Sequence, residues 1–145
     1  MIIVGIDFGD KRMGIAVCDK AETMAVSVRT EQVRGAKDAA EKAAAAAAER
    51  NAEMIVVGMP ERADGYRGER CEKTEFFLGF LRELVKVPVE TFDERFTTVQ
   101  AHDLLFETGR KGKDHKSCVD ALSAQLILDG FLTERKKQSD LHKKV

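Results

Sequence analysis

Cysteine is scarce and scattered. The 145 residues hold three. Cys18, Cys71 and Cys118 lie far apart with no CxxC spacing and no Cys/His cluster, so neither a zinc site nor a disulfide framework is indicated. A reducing cytosol fits that usage. Long apolar runs are missing too: no stretch approaches the ~20 residues that cross a bilayer. Met1 leads straight into a strand-like run without a basic n-region or a small-residue cleavage site. The expectation is a cytoplasmic protein with no membrane association. His102, His115 and His142 share no spacing that suggests a ligand pair, and Ser117 and Cys118 lack an identifiable base. Net charge is nearly absent: 24 basic against 25 acidic residues leave −1, which argues against the blanket basic surface of an indiscriminate nucleic-acid binder. No internal repeat is apparent.

What is present is enough for a core. The chain is 43% hydrophobic and 34% charged, a composition that excludes whole-chain disorder and implies a heavily ionised surface. Residues 1–133 read as a single domain. Residues 134–145, ERKKQSDLHKKV, read as a basic, flexible tail.

Ile2 to Phe8 is apolar on both faces until Asp7, the pattern of a central strand buried on both sides that ends at a carboxylate. After the turn GDKR, Gly14 to Cys18 and Met24 to Arg29 predict two more strands and an antiparallel meander. Ala36 to Asn51 is rich in strong helix formers. Met54 to Gly58 reads as a strand, and Pro60 to Arg70 carries the turn chemistry of a functional loop. Phe76, Phe77, Phe80, Leu81 and Leu84 recur at helical spacing, which predicts a helix from about Glu72 to Val85 with an aromatic stripe facing a core. Val87 to Phe92 is a strand whose Pro88 points to an edge position or a strand start. Thr97 and Gln100 stand three apart ahead of Leu104 and Leu105, a capping-box spacing, and Gly109 supplies a stop. A last helix is expected from about Asp114 to Thr133. The sum is an α/β chain with a mixed sheet of about five strands flanked by helices.

Three carboxylates fall where a sheet protein gathers a site: Asp7 at the end of the central strand, Glu94 after the last strand, Asp120 on the final helix. Each has a plain structural reading as well, as a turn former, an exposed cap or ion-pair partner, and part of a capping box with Ser117. Asp120, however, shares a helix face with Ala124, Ile127 and Phe131, which directs it toward the sheet rather than bulk solvent. Clustered carboxylates repel unless a divalent cation neutralises them, and all-oxygen donors favour Mg²⁺ or Mn²⁺ over zinc. Two such cations can clamp the attacking and leaving oxygens of a phosphodiester without a protein nucleophile. Candidate phosphate contacts are Lys11 and Arg12 in the first turn, Arg62, Arg67 and Arg70 in the loop, Arg95, and Arg110, Lys111, Lys113 and Lys116. His115 is a candidate helper near a leaving group. Fifteen basic against twenty acidic residues through Gly109 give −5, and nine against five afterwards give +4. Neutrality is therefore an average over an acidic body and a basic final segment.

In four places the sequence resembles one family. VGIDFGDKRMGIAV, VVGMPERADGYRGER, TFDERFTTVQA and KSCVDALSAQLIL are similar, in order, to the motifs of the YqgF family, also called RuvX. Together they span nearly the whole chain to about Leu132. The resemblance implies a ribonuclease H-like fold with a five-stranded mixed sheet, three strands in an antiparallel meander and two parallel. It also implies catalytic, metal-binding carboxylates at Asp7, Glu94 and Asp120. Glu61 and Arg62 stand where the family more often has small or neutral residues, and Ser123 where Ala is usual. The implied activity is metal-dependent nucleic-acid hydrolysis, with 5′-end processing of precursor 16S rRNA favoured and ribosome association expected. Resolution of four-way DNA junctions is an alternative. The protein would act as a monomer or weak homodimer, and symmetric cutting of a junction would require a two-fold dimer. Two other classes stay open: a catalytically silent RNA-binding module, and a sugar-kinase or actin-like ATPase, for which the chain is short.

Overall fold

A computed structural model of the chain describes residues 1–9, 11–59, 68–93 and 112–143, without the side chains of residues 69, 112–120 and 140–143. The elements run β1 (Ile3–Phe8), β2 (Arg12–Cys18), β3 (Ala25–Gln32), α1 (Ala36–Glu49), β4 (Met54–Met59), α2 (Glu69–Leu84), β5 (Val89–Asp93) and α3 (Gly112–Lys143). Of the expected Pro60–Arg70 loop, residues 60–67 lie outside the described residues, as does the expected helix after Thr97; Glu69 and Arg70 belong instead to α2, which starts three residues before the expected Glu72.

The five strands form one sheet in the order β3-β2-β1-β4-β5. β1 to β3 are the antiparallel meander, whereas β1, β4 and β5 run parallel. All six residues of β1 are buried, because this strand lies at the middle of the sheet with a helical layer on each face. Pro88 immediately precedes β5, an edge strand, and its carbonyl accepts the Ile55 N–H at 3.0 Å. A residue lacking an N–H costs nothing at a strand start.

Strand alternation divides the core in two. Val4, Ile6 and Phe8 point to the face covered by α1 and α2, where Ala39, Ala40, Ala43, Phe77 and Leu81 pack. Phe8 and Phe77 stack with centroids 4.6 Å apart. Ile3 points to the opposite face, covered by Ala124, Ile127, Leu128 and Leu132 of α3.

Two sequence expectations need correction. The buried line of α2 is Cys71, Thr74, Phe77, Leu78 and Leu81. Phe76, expected in the core, is 65% exposed, and Leu84 also faces solvent. At 100° per residue the buried line is centred beyond Phe77 on the side of Leu81, which leaves Phe76 on the opposite, solvent-facing side of the helix with its ring against the edge of Phe80 at 4.9 Å. The final helix does not stop near Thr133 but continues to Lys143, through most of the segment expected to be a flexible tail. Glu, Arg, Lys and Gln are good helix formers. The extension is also tied down, since Arg135 donates to Glu22 at 2.8 Å and its guanidinium lies 5.9 Å from the Phe131 ring centroid. No described helix is long and apolar enough to cross a membrane.

Candidate active site at the carboxyl edge of the sheet

Parallel strands β1, β4 and β5 all end at one edge. The registers Gly5↔Val56 and Ile6↔Val57 in β1 and β4, and Met59↔Asp93 in β4 and β5, bring the end of β5 level with the end of β1. Asp7 stands there, only 8% exposed. It lies two residues beyond Gly5 and so on the same face of β1, the face that α3 covers.

How closely α3 covers that face is decided by Gly5. A β-carbon at Gly5 would meet Leu128 Cβ at 2.9 Å and the Ala124 carbonyl oxygen at 3.1 Å, so only glycine lets the helix lie this near the central strand. The direction of α3 follows from β3, which runs parallel to β1. The Ala25 N–H donates to Asp129 Oδ1 at 3.2 Å, whereas the Ser27 hydroxyl donates to Gln125 Oε1 at 2.7 Å and lies 3.1 Å from the Ala121 carbonyl. Moving along β3 thus means moving backward along α3, so the helix is antiparallel to β1. From Gly5 to Asp7 the strand advances ~7 Å, and from Ala124 back to Asp120 the helix retreats ~6 Å. Asp120 and Asp7 therefore occupy matching levels on helix and strand. The side chain of Asp120 lies outside the described residues, as does all of Glu94, the residue that follows the end of β5.

Cations gather at the same edge. Lys11 and Arg12 follow directly on the end of β1, and the turn is tight: a β-carbon at Gly9 would come within 2.7 Å of the Arg12 carbonyl oxygen. Lys11 is exposed and Arg12 half-buried. Arg70, at the start of α2, reaches across the strand end to bring Nη2 within 3.8 Å of Asp7 Oδ1. Of the other expected phosphate contacts, Arg62, Arg67, Arg95, Arg110 and Lys111 lie outside the described residues. Lys113, His115 and Lys116 are placed on the first turns of α3 by backbone alone.

Two features were missed in the sequence. Gly5 interrupts a β-branched run, a standing sign of close backbone approach in a strand. The pairing of Arg70 with Asp7 joins residues 63 positions apart and leaves no local pattern to read.

Comparison with known proteins agrees with this architecture. Residues 1–134 match the family described as RuvX: Holliday junction resolvase. The chain belongs to the RuvX family. Two relatives, both named "Putative pre-16S rRNA nuclease", come from Halothermothrix orenii and Ruminiclostridium cellulolyticum. The first is 36% identical over 94% of this chain and 98% of its own length. The second is 38% identical over 91% and 94%. Among solved structures, Thermus thermophilus RuvC in complex with a Holliday junction substrate superposes with a TM-score of 0.57 at 21% identity, covering 93% of this chain and 96% of that one. The fowlpox virus Holliday junction resolvase gives 0.58 at 12% identity, covering 92% and 99%. Those likenesses establish the fold as the ribonuclease H-like fold of RuvC-type resolvases.

Among the described residues, no group of three or more His, Cys, Asp and Glu side chains could hold a metal ion. The donor chemistry nonetheless suits a hard cation. The buried carboxylate of Asp7 faces a cationic group at the edge where Glu94 follows in the chain, and Asp120 lies at the matching helix level, all three offering oxygen.

Proposed function

We propose that this RuvX-family protein is a metal-dependent phosphodiester hydrolase that trims the 5′ end of precursor 16S rRNA in the cytoplasm, on or near the assembling ribosome. The observation that carries the reading is the placement of Asp7: a buried carboxylate at the end of the central strand, level with Asp120 on a helix held close by Gly5. The names of the relatives point to precursor rRNA as substrate.

Asp7, Glu94 and Asp120 would hold Mg²⁺ or Mn²⁺. When bound, the metal supplies positive charge that activates the attacking water and offsets charge on the leaving oxygen. The protein supplies everything that orients the polymer. Lys11, Arg12 and Arg70 surround the strand end and can accept a bent phosphate backbone from two sides. Lys113 and Lys116, at the start of α3, and Arg67 and Arg95, next to the ends of α2 and β5 in sequence, are assigned the flanking phosphates. With net charge near zero, binding rests on these local contacts and weakens steeply with salt.

The test is side-by-side incubation with an RNA carrying the precursor 16S 5′ end and with a four-way DNA junction, in Mg²⁺, Mn²⁺ or EDTA. RNA cleavage that EDTA abolishes is the expected result. Cleavage of the junction alone would replace RNA trimming with junction resolution. Tight metal-free RNA binding without any cleavage would leave a silent binding module.

A further inference from the structure

We infer that the cleft between the β2–β3 turn and the far half of α3 is a second RNA site, which holds one unpaired nucleotide with the amino group of its base on Asp129 and its phosphate on Lys136. The site presupposes the nucleic-acid substrate proposed above but not the metal.

Register fixes where the cleft lies. Val4 pairs with Val17, so the turn after β2 stands at the edge where β1 begins, opposite the edge of Asp7. On the helix, Asp129 is nine residues past Asp120, ~14 Å along the axis. The cleft encloses about 950 Å³, with Glu22 and Thr23 of the turn facing Asp129, Arg135, Lys136 and Ser139 of α3. Its walls are preformed. Asp19 Oδ1 accepts the Thr23 N–H at 2.7 Å and the Met24 N–H at 3.3 Å, which fixes the turn, and Arg135 donates to Glu22 at 2.8 Å, which ties the helix to it.

Asp129 is the group that the fold does not explain. Its carboxylate accepts the Ala25 N–H at 3.2 Å and makes no ion pair among the described residues. An asparagine would accept that N–H equally well. Burial pushes the Asp129 carboxyl above its ordinary range, so a negative charge here costs stability at neutral pH, and a donor arriving in the cleft recovers it. Lys136 is the complement. Unlike Arg135 and Lys137, it makes no ion pair among the described residues. It follows Asp129 by two turns on one helix face, ~10 Å along the axis, a separation that a nucleotide bridges from base edge to phosphate. Leu132, buried between them, gives the base an apolar floor.

A basic peptide and a nucleobase both bring donors to a carboxylate, and the surrounding charge decides between them. Residues 134–145 hold five basic and two acidic side chains, which disfavours a basic peptide and attracts phosphate. The amino groups of cytosine, adenine and guanine can donate to Asp129. Uracil flanks its one N–H with two carbonyl oxygens, which the carboxylate repels.

The experiment is anisotropy of labelled octamers of cytidine and of uridine with the full chain, in EDTA at low salt. It compares wild type, Asp129→Asn and Lys136→Gln, each first checked by thermal melting. Wild type should bind oligocytidine about 5- to 10-fold more tightly than oligouridine. Asp129→Asn should bring the two within about twofold, whereas Lys136→Gln should weaken both by a similar factor and keep the preference. A second measurement needs no variant: cytidine 5′-monophosphate added to ¹⁵N-labelled wild type should shift the amides of Ala25, which donates to Asp129, and of residues 132–139, and uridine 5′-monophosphate should shift them less. Equal binding of the two octamers by wild type, a preference that survives in Asp129→Asn, or nucleotide shifts confined to the residues around Gly9 and Lys11 overturns the second site and leaves RNA binding at the Asp7 edge standing. Failure of wild type to bind either octamer overturns both.

Discussion

One methyl group at Gly5 should loosen the helix that carries Asp120. The β-carbon of Gly5→Ala would sit 2.9 Å from Leu128 Cβ and 3.1 Å from the Ala124 carbonyl oxygen. Neither neighbour is the free end of a flexible side chain, so no rotamer change relieves the contact and α3 itself must shift. Overpacking of this kind costs about 1–3 kcal/mol. At this chain length about 2–5 °C of melting temperature accompanies each kcal/mol, so Gly5→Ala should lower Tm by about 2–15 °C. Gly79→Ala is the matched control. Gly79 lies inside α2 with nothing within 4 Å of its would-be β-carbon, and a helix-interior glycine costs ~1 kcal/mol relative to alanine. The same chemical change should there raise Tm by about 2–5 °C. Differential scanning calorimetry of the two variants beside wild type reads both signs at once. Below its Tm, Gly5→Ala should also lose Mn²⁺ affinity if the proposed metal site is right, because the Asp7 and Asp120 positions on β1 and α3 no longer stand at matching levels. Unchanged melting of Gly5→Ala would refute the close approach of α3 to β1, and with it the placement of Asp120 beside Asp7.

Phe77→Ala should cost about 3–5 kcal/mol in urea unfolding, because its ring is fully buried on Phe8, whereas exposed Phe76→Ala should cost under about 1 kcal/mol; equal costs would mean the buried line of α2 is misplaced. Glu22 is held below its ordinary carboxyl range, first by the Arg135 hydrogen bond and then by the Met1 ammonium group. Its stabilisation is therefore full above the ordinary value of 4.5 and is lost as pH falls through the lower folded value. Glu22→Gln should give up about 0.5–1 kcal/mol at pH 7 and nothing near pH 2, so parallel Tm curves from pH 7 to 2 would contradict the pairing. Asp129 has the opposite sign: burial raises its carboxyl above the ordinary value of 3.8, so its contribution is present below that value and lost as pH rises through the folded one. Asp129→Asn keeps an acceptor for the Ala25 N–H and should raise Tm at pH 7 but not at pH 3; a fall at pH 7 would count against it.

The parts of the fold that local pattern controls could be read from the sequence. The unbroken apolar run before Asp7 marks β1 as central because only a strand covered on both faces omits polar alternation. Pro88 marked the start of an edge strand for the same kind of local reason. What was not legible depended on distant partners. α3 outruns its apolar stripe because Arg135 finds Glu22, 113 residues away. The aromatic stripe of α2 was drawn too wide because five apolar residues at helical spacing do not say where the sheet will lie, and Phe76 ends outside it. For the proposed site, Asp7 and Asp120 were singled out in the sequence by their positions at a strand end and on an apolar helix face. The geometry that relates them, the close approach at Gly5 and the cation at Asp7, comes from packing.

The measurement that bears hardest on the proposed activity is cleavage of a precursor 16S rRNA 5′ end in Mn²⁺ by wild type and Asp7→Asn at equal concentration, with thermal melting run on both. Asparagine preserves the size of the side chain at the strand end and removes its negative charge. Melting within a few degrees of wild type, with cleavage and Mn²⁺ binding both abolished, is the result expected of a metal-dependent hydrolase built around Asp7. Cleavage by Asp7→Asn at the wild-type rate would contradict it.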